Sequence, residues 1–233
     1  MNSLFDEETI SELRRFFSTL RRNLRDILVV DSTEGPGSSG RCNTCPEAKQ
    51  LAEELSRISG GKLGFDMLEL GSARQFRPRY VPAFIYDTAK KNVRFYGLPS
   101  GHEFAPFIYV HEYISEGARL DEHVVEEVES IEAPMHVKIF VTPECPYCSA
   151  VVDFMNQVGI VNNNITVETI EAFEHSHEAD MYHVLYVPYV AITRIEDYDT
   201  YGAPPVEVVP GYVPPEELVE VLKKAERKLK RTT

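Results

Sequence analysis

The sequence predicts an α/β protein of two similar units in tandem, each a central mixed β-sheet flanked by helices, and three observations carry that expectation. At 233 residues, 43% of them hydrophobic and 26% charged, the chain is long enough for two compact units of about 100 residues each. Two Cys-x-x-Cys pairs, Cys42-Asn43-Thr44-Cys45 and Cys145-Pro146-Tyr147-Cys148, stand at an offset of 103. Each is followed by a Val-Pro step, Val81-Pro82 and Val187-Pro188, at an offset of 106.

The elements follow in order. From Glu7 to Leu28 the apolar residues Ile10, Leu13, Phe16, Phe17, Leu20 and Leu24 recur at helical spacing and predict an amphipathic helix. Ile27 to Val30 reads as a short strand, and Gly35-Pro36-Gly37-Ser38-Ser39-Gly40 as a loop. Behind the first cysteine pair, Ala48, Leu51, Ala52, Leu55 and Ile58 predict a helix that Gly60-Gly61 ends. Strands at Leu63 to Leu70, Ala83 to Tyr86 and Val93 to Tyr96 come next, then a helix from Glu103 to Ser115.

The second half repeats the order. A helix at Glu122 to Ile131 and a strand at Val137 to Val141 lead to the second cysteine pair, which opens a helix with Val151, Phe154, Met155 and Val158 on one face. A strand at Ile165 to Ile170, a helix at Ser176 to His183, strands at Tyr189 to Thr193 and Val206 to Val209, and a helix at Pro214 to Leu229 complete it. Phe95-Tyr96-Gly97 aligns with Val209-Pro210-Gly211, and Phe65-Asp66-Met67-Leu68-Glu69 with Val167-Glu168-Thr169-Ile170-Glu171. An internal duplication explains this, with the linker at Glu116 to Asp121 and units spanning 1–118 and 119–233.

The net charge of -13 would repel nucleic acid and anionic lipid, so neither is an expected partner. The start Met1-Asn2-Ser3-Leu4-Phe5-Asp6-Glu7-Glu8 lacks a secretory pattern, and no apolar run approaches the ~20 residues that span a bilayer. The expected location is the cytoplasm, where four cysteines point to metal or redox chemistry more than to structural bridges.

Cys-x-x-Cys at a helix start has a direct chemical consequence. The first thiol faces unsatisfied backbone N–H groups and the positive end of the dipole, which favours its thiolate and makes it the attacking group. The second, one turn further in and more shielded, resolves the mixed disulfide. This assigns attack to Cys145 and Cys42, and resolution to Cys148 and Cys45. Pro146 suits a first helical turn, whereas Pro46 should hold Cys45 out of the helical region and delay or distort the first helix. Arg41 beside Cys42 favours its thiolate and Glu144 beside Cys145 opposes it. On balance the second centre is expected to carry more of the exchange.

With these residues the chain resembles the protein disulfide oxidoreductases of thermophilic archaea and bacteria, glutaredoxin-like proteins with two fused thioredoxin-like folds. Cys145-Pro146-Tyr147-Cys148 has the glutaredoxin form of the active site, while Cys42-Asn43-Thr44-Cys45 fits as a generic Cys-x-x-Cys. The resemblance implies that Pro82 and Pro188 are cis-prolines facing the disulfides, with Val81 and Val187 offering backbone groups to an extended substrate. It further implies reduction, formation or isomerisation of protein disulfides with no cofactor beyond the redox-active disulfides. A thioredoxin-reductase-like flavoprotein and peroxiredoxins are the partners it suggests.

The chain departs from thioredoxins in having no Trp before either leading cysteine, and in placing Pro36 and Ile139 where they have a buried Asp. Another proton acceptor is needed. Glu168, sharing a strand face with Ile170, is either a desolvated shuttle for the resolving thiol's proton or a solvated strand-edge carboxylate; Asp66 is its counterpart.

Other readings compete. Two pairs could form a four-thiolate zinc site, but 99 residues separate them, unlike the ~15 to 20 of common zinc motifs. A disulfide-independent chaperone using apolar surface around the cysteines is the alternative from another class. His175, His177 and His183 read as solvated groups, and Tyr109 and Tyr113 as packing residues. Gly97-Leu98-Pro99-Ser100-Gly101 lacks the Lys of a phosphate loop and reads as a turn. The basic run from Lys223 to Arg231 suits a helix C-terminus.

Overall fold

In a computed structural model, which describes residues 3–32 and 42–231, the two halves form one continuous eight-stranded sheet. The first half contributes α1 (Glu7–Ser18), β1 (Leu24–Val30), α2 (Cys45–Ile58), β2 (Leu63–Glu69), β3 (Ala83–Ile85), β4 (Val93–Tyr96) and α3 (Phe104–Glu116). The second contributes α4 (Glu122–Glu129), β5 (Met135–Val141), α5 (Cys148–Val161), β6 (Ile165–Glu171), α6 (Ser176–Met181), β7 (Tyr189–Arg194), β8 (Glu207–Pro210) and α7 (Pro215–Arg231). The strand order is β2-β1-β3-β4-β6-β5-β7-β8, two copies of one four-stranded pattern joined edge to edge.

The repeat extends to detail. In each half a strand leading to a cysteine pair lies beside one parallel and one antiparallel neighbour, β2 and β3 for β1, β6 and β7 for β5. After β4 and β8, Gly97 and Gly211 adopt φ of +106° and +91°, and their N–H groups donate to Pro82 O (3.0 Å) and Pro188 O (2.8 Å). Only glycine enters that region freely, so the two turns share one residue type for one reason.

Local chemistry sets the helix ends. Asp6 caps α1 by accepting from Thr9 N at 2.8 Å. The helix stops at Ser18, ten residues before the stretch that its periodicity predicts ends: Leu20 lies in the following turn and Leu24 opens β1, both buried. Apolar spacing of four thus ran across a helix, a turn and a strand that all face the same core. Gly60 (φ +62°) and Gly61 (φ +90°) terminate α2 as expected.

The sheet has an apolar layer on each face. On one, α2 covers a core that includes Leu28, Phe84, Phe95 and Phe107, and α5 covers one that includes Val137, Ile139, Val167 and Val190. α3 packs against α5 across the seam between halves. There Gly159 of α5 stands over the junction: a Cβ would lie 2.7 Å from Val93 of β4 and 3.0 Å from Val167 of β6. On the other face a single core mixes both halves, with Ile27, Val29, Ala83 and Ile85 against Phe140, Ile170, Tyr182 and Ala191. Strands β4 and β6 would be exposed edges in isolated units; pairing them removes both edges.

Candidate redox centres

Both cysteine pairs lie at the C-terminal ends of parallel-running strands, β1 and β5, and therefore at the same edge of the sheet. Each is closed as a disulfide, Cys42–Cys45 and Cys145–Cys148, with Cα–Cα 5.4 Å in both. Cys45 and Cys148 are the first residues of α2 and α5, so the leading cysteine of each pair sits one turn before the helix, facing its N-terminus. Pro46 lies in the first turn of α2 without delaying it, and Pro146 lies in the turn ahead of α5. The expectation of a distorted first helix is thereby corrected: a first-turn proline removes an N–H that had no partner.

Burial separates the two thiols of each pair. Cys45 and Cys148 are sealed, while Cys42 is half-exposed and Cys145 retains 8% exposure. Val81-Pro82 and Val187-Pro188 are both cis. Val187 packs against the core that holds Cys145 and Cys148, and Val81 lines one cleft with Cys42. Arg41, Pro36 and the loop from Gly35 to Gly40 fall outside the described residues.

The surroundings differ. Tyr147, within the second pair, is 61% exposed and its ring lies 5.4 Å from that of Tyr212; Leu185 and Tyr186, just before Val187, are 80% and 72% exposed. The first centre opens instead on a cleft of about 620 Å³ walled by both halves, including Asn43, Thr44 and Tyr80 from one and Glu174 and His175 from the other. His175 is not the solvated group its polar neighbours suggest. Its ring stacks on Tyr80 at 4.5 Å, its Nε2 is buried, and burial pushes its pKa down to about 4; His177 and His183 are exposed.

Glu168 is fully buried, which removes the strand-edge reading. It does not fit the shuttle reading either. Val167 packs toward α5 and Cys148, so its neighbour Glu168 points to the opposite face of the sheet. There its carboxylate accepts from Tyr96 Oη (3.0 Å), Tyr198 Oη (2.6 Å) and His136 Nε2 (2.8 Å), with Arg94 and Arg79 at 3.8 and 3.9 Å. Burial alone would raise its pKa, but His136 and Arg94 outweigh that and hold it well below the carboxylate range. A group so firmly ionised is a poor proton acceptor at neutral pH. The network continues through Glu178, which pairs with Arg79 and Lys138; burial and Arg79 bring the Lys138 ammonium down to about 7. Asp66 is exposed and pairs with Arg25. Tyr113 is buried and donates to Asp153 at 2.9 Å, whereas Tyr109 is 46% exposed.

A carboxyl that the sequence does not signal stands by the second centre. Glu103 ends a 3-10 turn (Gly101–Glu103) that packs on α5 and seats on the loop into Cys145: His102 N donates to Pro143 O at 2.9 Å, and a Cβ on Gly101 (φ +56°) would lie 2.3 Å from that oxygen. Glu103 is 1% exposed, neither carboxyl oxygen has a hydrogen-bond partner among the described residues, and burial raises its pKa to about 8. Local spacing could not announce it, because the turn carrying it belongs to the other half.

Glu103 makes a pH prediction. Its folded pKa of about 8 lies above its ordinary 4.5, so its contribution is intact below 4.5 and is lost as pH rises toward 8. Glu103→Gln is expected to shrink the stability difference between pH 5 and pH 8 by about 3 kcal/mol. Urea unfolding of both proteins at the two pH values measures it; equal slopes would show that the carboxyl is hydrated.

Fold and site together define a class, that of thioredoxin-fold chains with two Cys-x-x-Cys centres. Residues 135–213 match the family model described as Thioredoxin domain. A protein disulfide oxidoreductase from Aeropyrum pernix K1 superposes with a TM-score of 0.78 at 23% identity, over 97% of this chain and 96% of that one. The alkylhydroperoxide reductase protein AhpF of Enterococcus faecalis superposes with a TM-score of 0.77 at 17% identity, over 94% and 99%. Among curated proteins, the chain is 27% identical over 154 residues to an NADH dehydrogenase of Bacillus subtilis, covering 66% of this chain and 29% of that one. It is 24% identical over 182 residues to an alkyl hydroperoxide reductase protein of Staphylococcus aureus, covering 76% and 34%. The chain thus spans about a third of the length of the curated relatives it matches.

Among the described residues no group of three or more His, Cys, Asp or Glu is arranged to hold a metal ion, and no helix is long and apolar enough to cross a membrane. The strands β1 and β5 that lead to the two pairs stand four strand spacings, about 19 Å, apart in the sheet, and each pair is closed on itself as a disulfide, an arrangement that does not suit one four-thiolate site.

Proposed function

We propose that the chain is a protein thiol-disulfide oxidoreductase that reduces, forms or isomerises disulfides by dithiol exchange, its two thioredoxin folds dividing at 118/119. The observation that carries this is the pairing, twice over, of a leading cysteine just ahead of a helix N-terminus, partly exposed at Cys42 and 8% exposed at Cys145, with a sealed partner on the first turn. In the reduced protein the Cys145 thiolate attacks one sulfur of a substrate disulfide, and the other leaves as a thiolate that takes up a proton. The Cys148 thiolate then attacks Cys145 Sγ, reforming the Cys145–Cys148 disulfide and releasing the second substrate sulfur as a thiol. Cys42 and Cys45 act in the same way, and the reverse flow oxidises a substrate dithiol.

Val187-Pro188 and Val81-Pro82 are the proposed substrate rests, and Glu103 replaces Glu168 as the candidate to take the Cys148 proton. The strands that lead to the two centres lie four strand spacings, about 19 Å, apart in the sheet, which supports reading each centre as working on its own substrate. Relatives named alkyl hydroperoxide reductase support a place beside hydroperoxide reduction, and the flavoprotein donor and peroxiredoxin acceptors proposed with it are those that the resemblance of the sequence suggests.

Insulin reduction driven by dithiothreitol tests the reading, using the protein and a variant with all four cysteines changed to Ser. Catalysis is expected to vanish in the variant while its fold, read by circular dichroism, persists. Undiminished turnover would overturn exchange chemistry, and retained suppression of insulin aggregation without turnover would favour a chaperone.

A further inference from the structure

β6 is followed by a turn, Glu171-Ala172-Phe173-Glu174, tied by its own side chain: Glu174 N and Phe173 N donate to the Glu171 carboxylate at 2.6 and 3.2 Å. The turn crosses to the first half. Glu174 Oε1 accepts from Leu98 N at 2.6 Å, and Glu174 Oε2 accepts from the hydroxyl of Thr44. Gly97 makes the approach possible. A Cβ there would lie 2.7 Å from Glu171 Cβ and 2.9 Å from Glu174 Oε1, and its φ of +106° already favours glycine.

Thr44 lies between the two cysteines of the first pair and occupies the N-cap position of α2, yet its side chain caps nothing. Its hydroxyl is committed to Glu174 instead. At the second centre the same position is Tyr147, which is exposed and meets Tyr212 rather than a carboxylate. A negative charge at a helix N-terminus is itself stabilised there, and it competes with a second one, the thiolate of the leading cysteine.

We propose that Glu174, supplied by the second half, is a positioning residue of the first redox centre: it holds the Cys42–Cys45 turn through Thr44 and its charge makes Cys42 a weaker acid and a slower nucleophile. The first centre is then complete only when both halves are present. The proposal rests on reading Cys42 as the leading thiol.

The test uses the full chain with Cys145 and Cys148 changed to Ser, reduced, and follows iodoacetamide alkylation of Cys42 against pH by peptide mass spectrometry. Glu174→Gln keeps the shape and removes the charge. It is expected to lower the midpoint pH by about half a unit and to speed alkylation below the midpoint about threefold. Thr44→Val keeps the charge and removes the hydroxyl, and its midpoint is expected to stay with the parent. An unmoved midpoint in Glu174→Gln overturns the proposal, as does a Thr44→Val shift equal to that of Glu174→Gln, which would make the effect one of turn packing. Cys42 inert to alkylation in every variant would instead overturn the exchange reading of this centre.

Discussion

Cys145→Ser is expected to lower dithiothreitol-driven insulin reduction by about tenfold, while Cys42→Ser lowers it less than about twofold. Both leading sulfurs precede a helix N-terminus in the same way, so the difference does not come from the helices. It comes from what a polypeptide substrate meets. Around Cys145 stand Tyr147, Leu185 and Tyr186, each more than 60% exposed, and apolar surface of that kind covers a bound chain's own apolar side chains. Around Cys42 the cleft mixes polar walls, Asn43, Thr44, Glu174 and His175, with Leu70, Tyr80, Val81 and Tyr201, none of which is more than half exposed, so its apolar groups are less open to a polypeptide than those around Cys145. Initial rates of insulin precipitation for the two variants decide the matter. Equal losses would show that apolar surroundings do not select the working centre, and a greater loss from Cys42→Ser would reverse the order.

The sequence alone orders the two centres in the same way, for a reason the structure removes. It sets Pro46 against Pro146, but proline one position into α2 is harmless because the first N–H groups of a helix lack partners in any case. What distinguishes the centres lies far away in the chain: Leu185 and Tyr186 at one, Glu174 and His175 at the other. Local spacing does carry the duplicated fold, since Gly97 and Gly211 close equivalent turns onto Pro82 and Pro188, and the periodicity behind each cysteine pair marks α2 and α5. It cannot carry the β4–β6 pairing, which joins two strands that each end a four-stranded unit. Glu168 shows the cost of missing that pairing. On an edge strand it would be wet; between β4 and β5 it is dry, and its register partner on β4 is Arg94.

Glu168→Ala is expected to destabilise the folded chain by about 3–5 kcal/mol, because it leaves buried cations without their shared anion. Arg94 is the most affected: its guanidinium is 3.8 Å from the Glu168 carboxylate, and its other partners, the Tyr96 and Tyr198 hydroxyls and the Lys91 and Arg77 carbonyls, are all neutral. Arg79 keeps Glu178, but Glu178 must also serve Lys138. The residues span both halves, Arg79, Arg94 and Tyr96 from one and His136, Lys138, Glu168 and Tyr198 from the other, so the damage falls on the seam. A single urea transition is therefore expected in the parent protein, and its midpoint moves as one in the variant. The pH dependence has a definite sign. Glu168 has a depressed pKa, so its contribution is fully present above its ordinary value of 4.5 and fades as pH falls below it. The gap between parent and Glu168→Ala should be widest above pH 5 and should narrow in acid. A variant within about 1 kcal/mol of the parent at pH 7 would mean that water replaces the carboxylate, and that the seam is held by the apolar core alone.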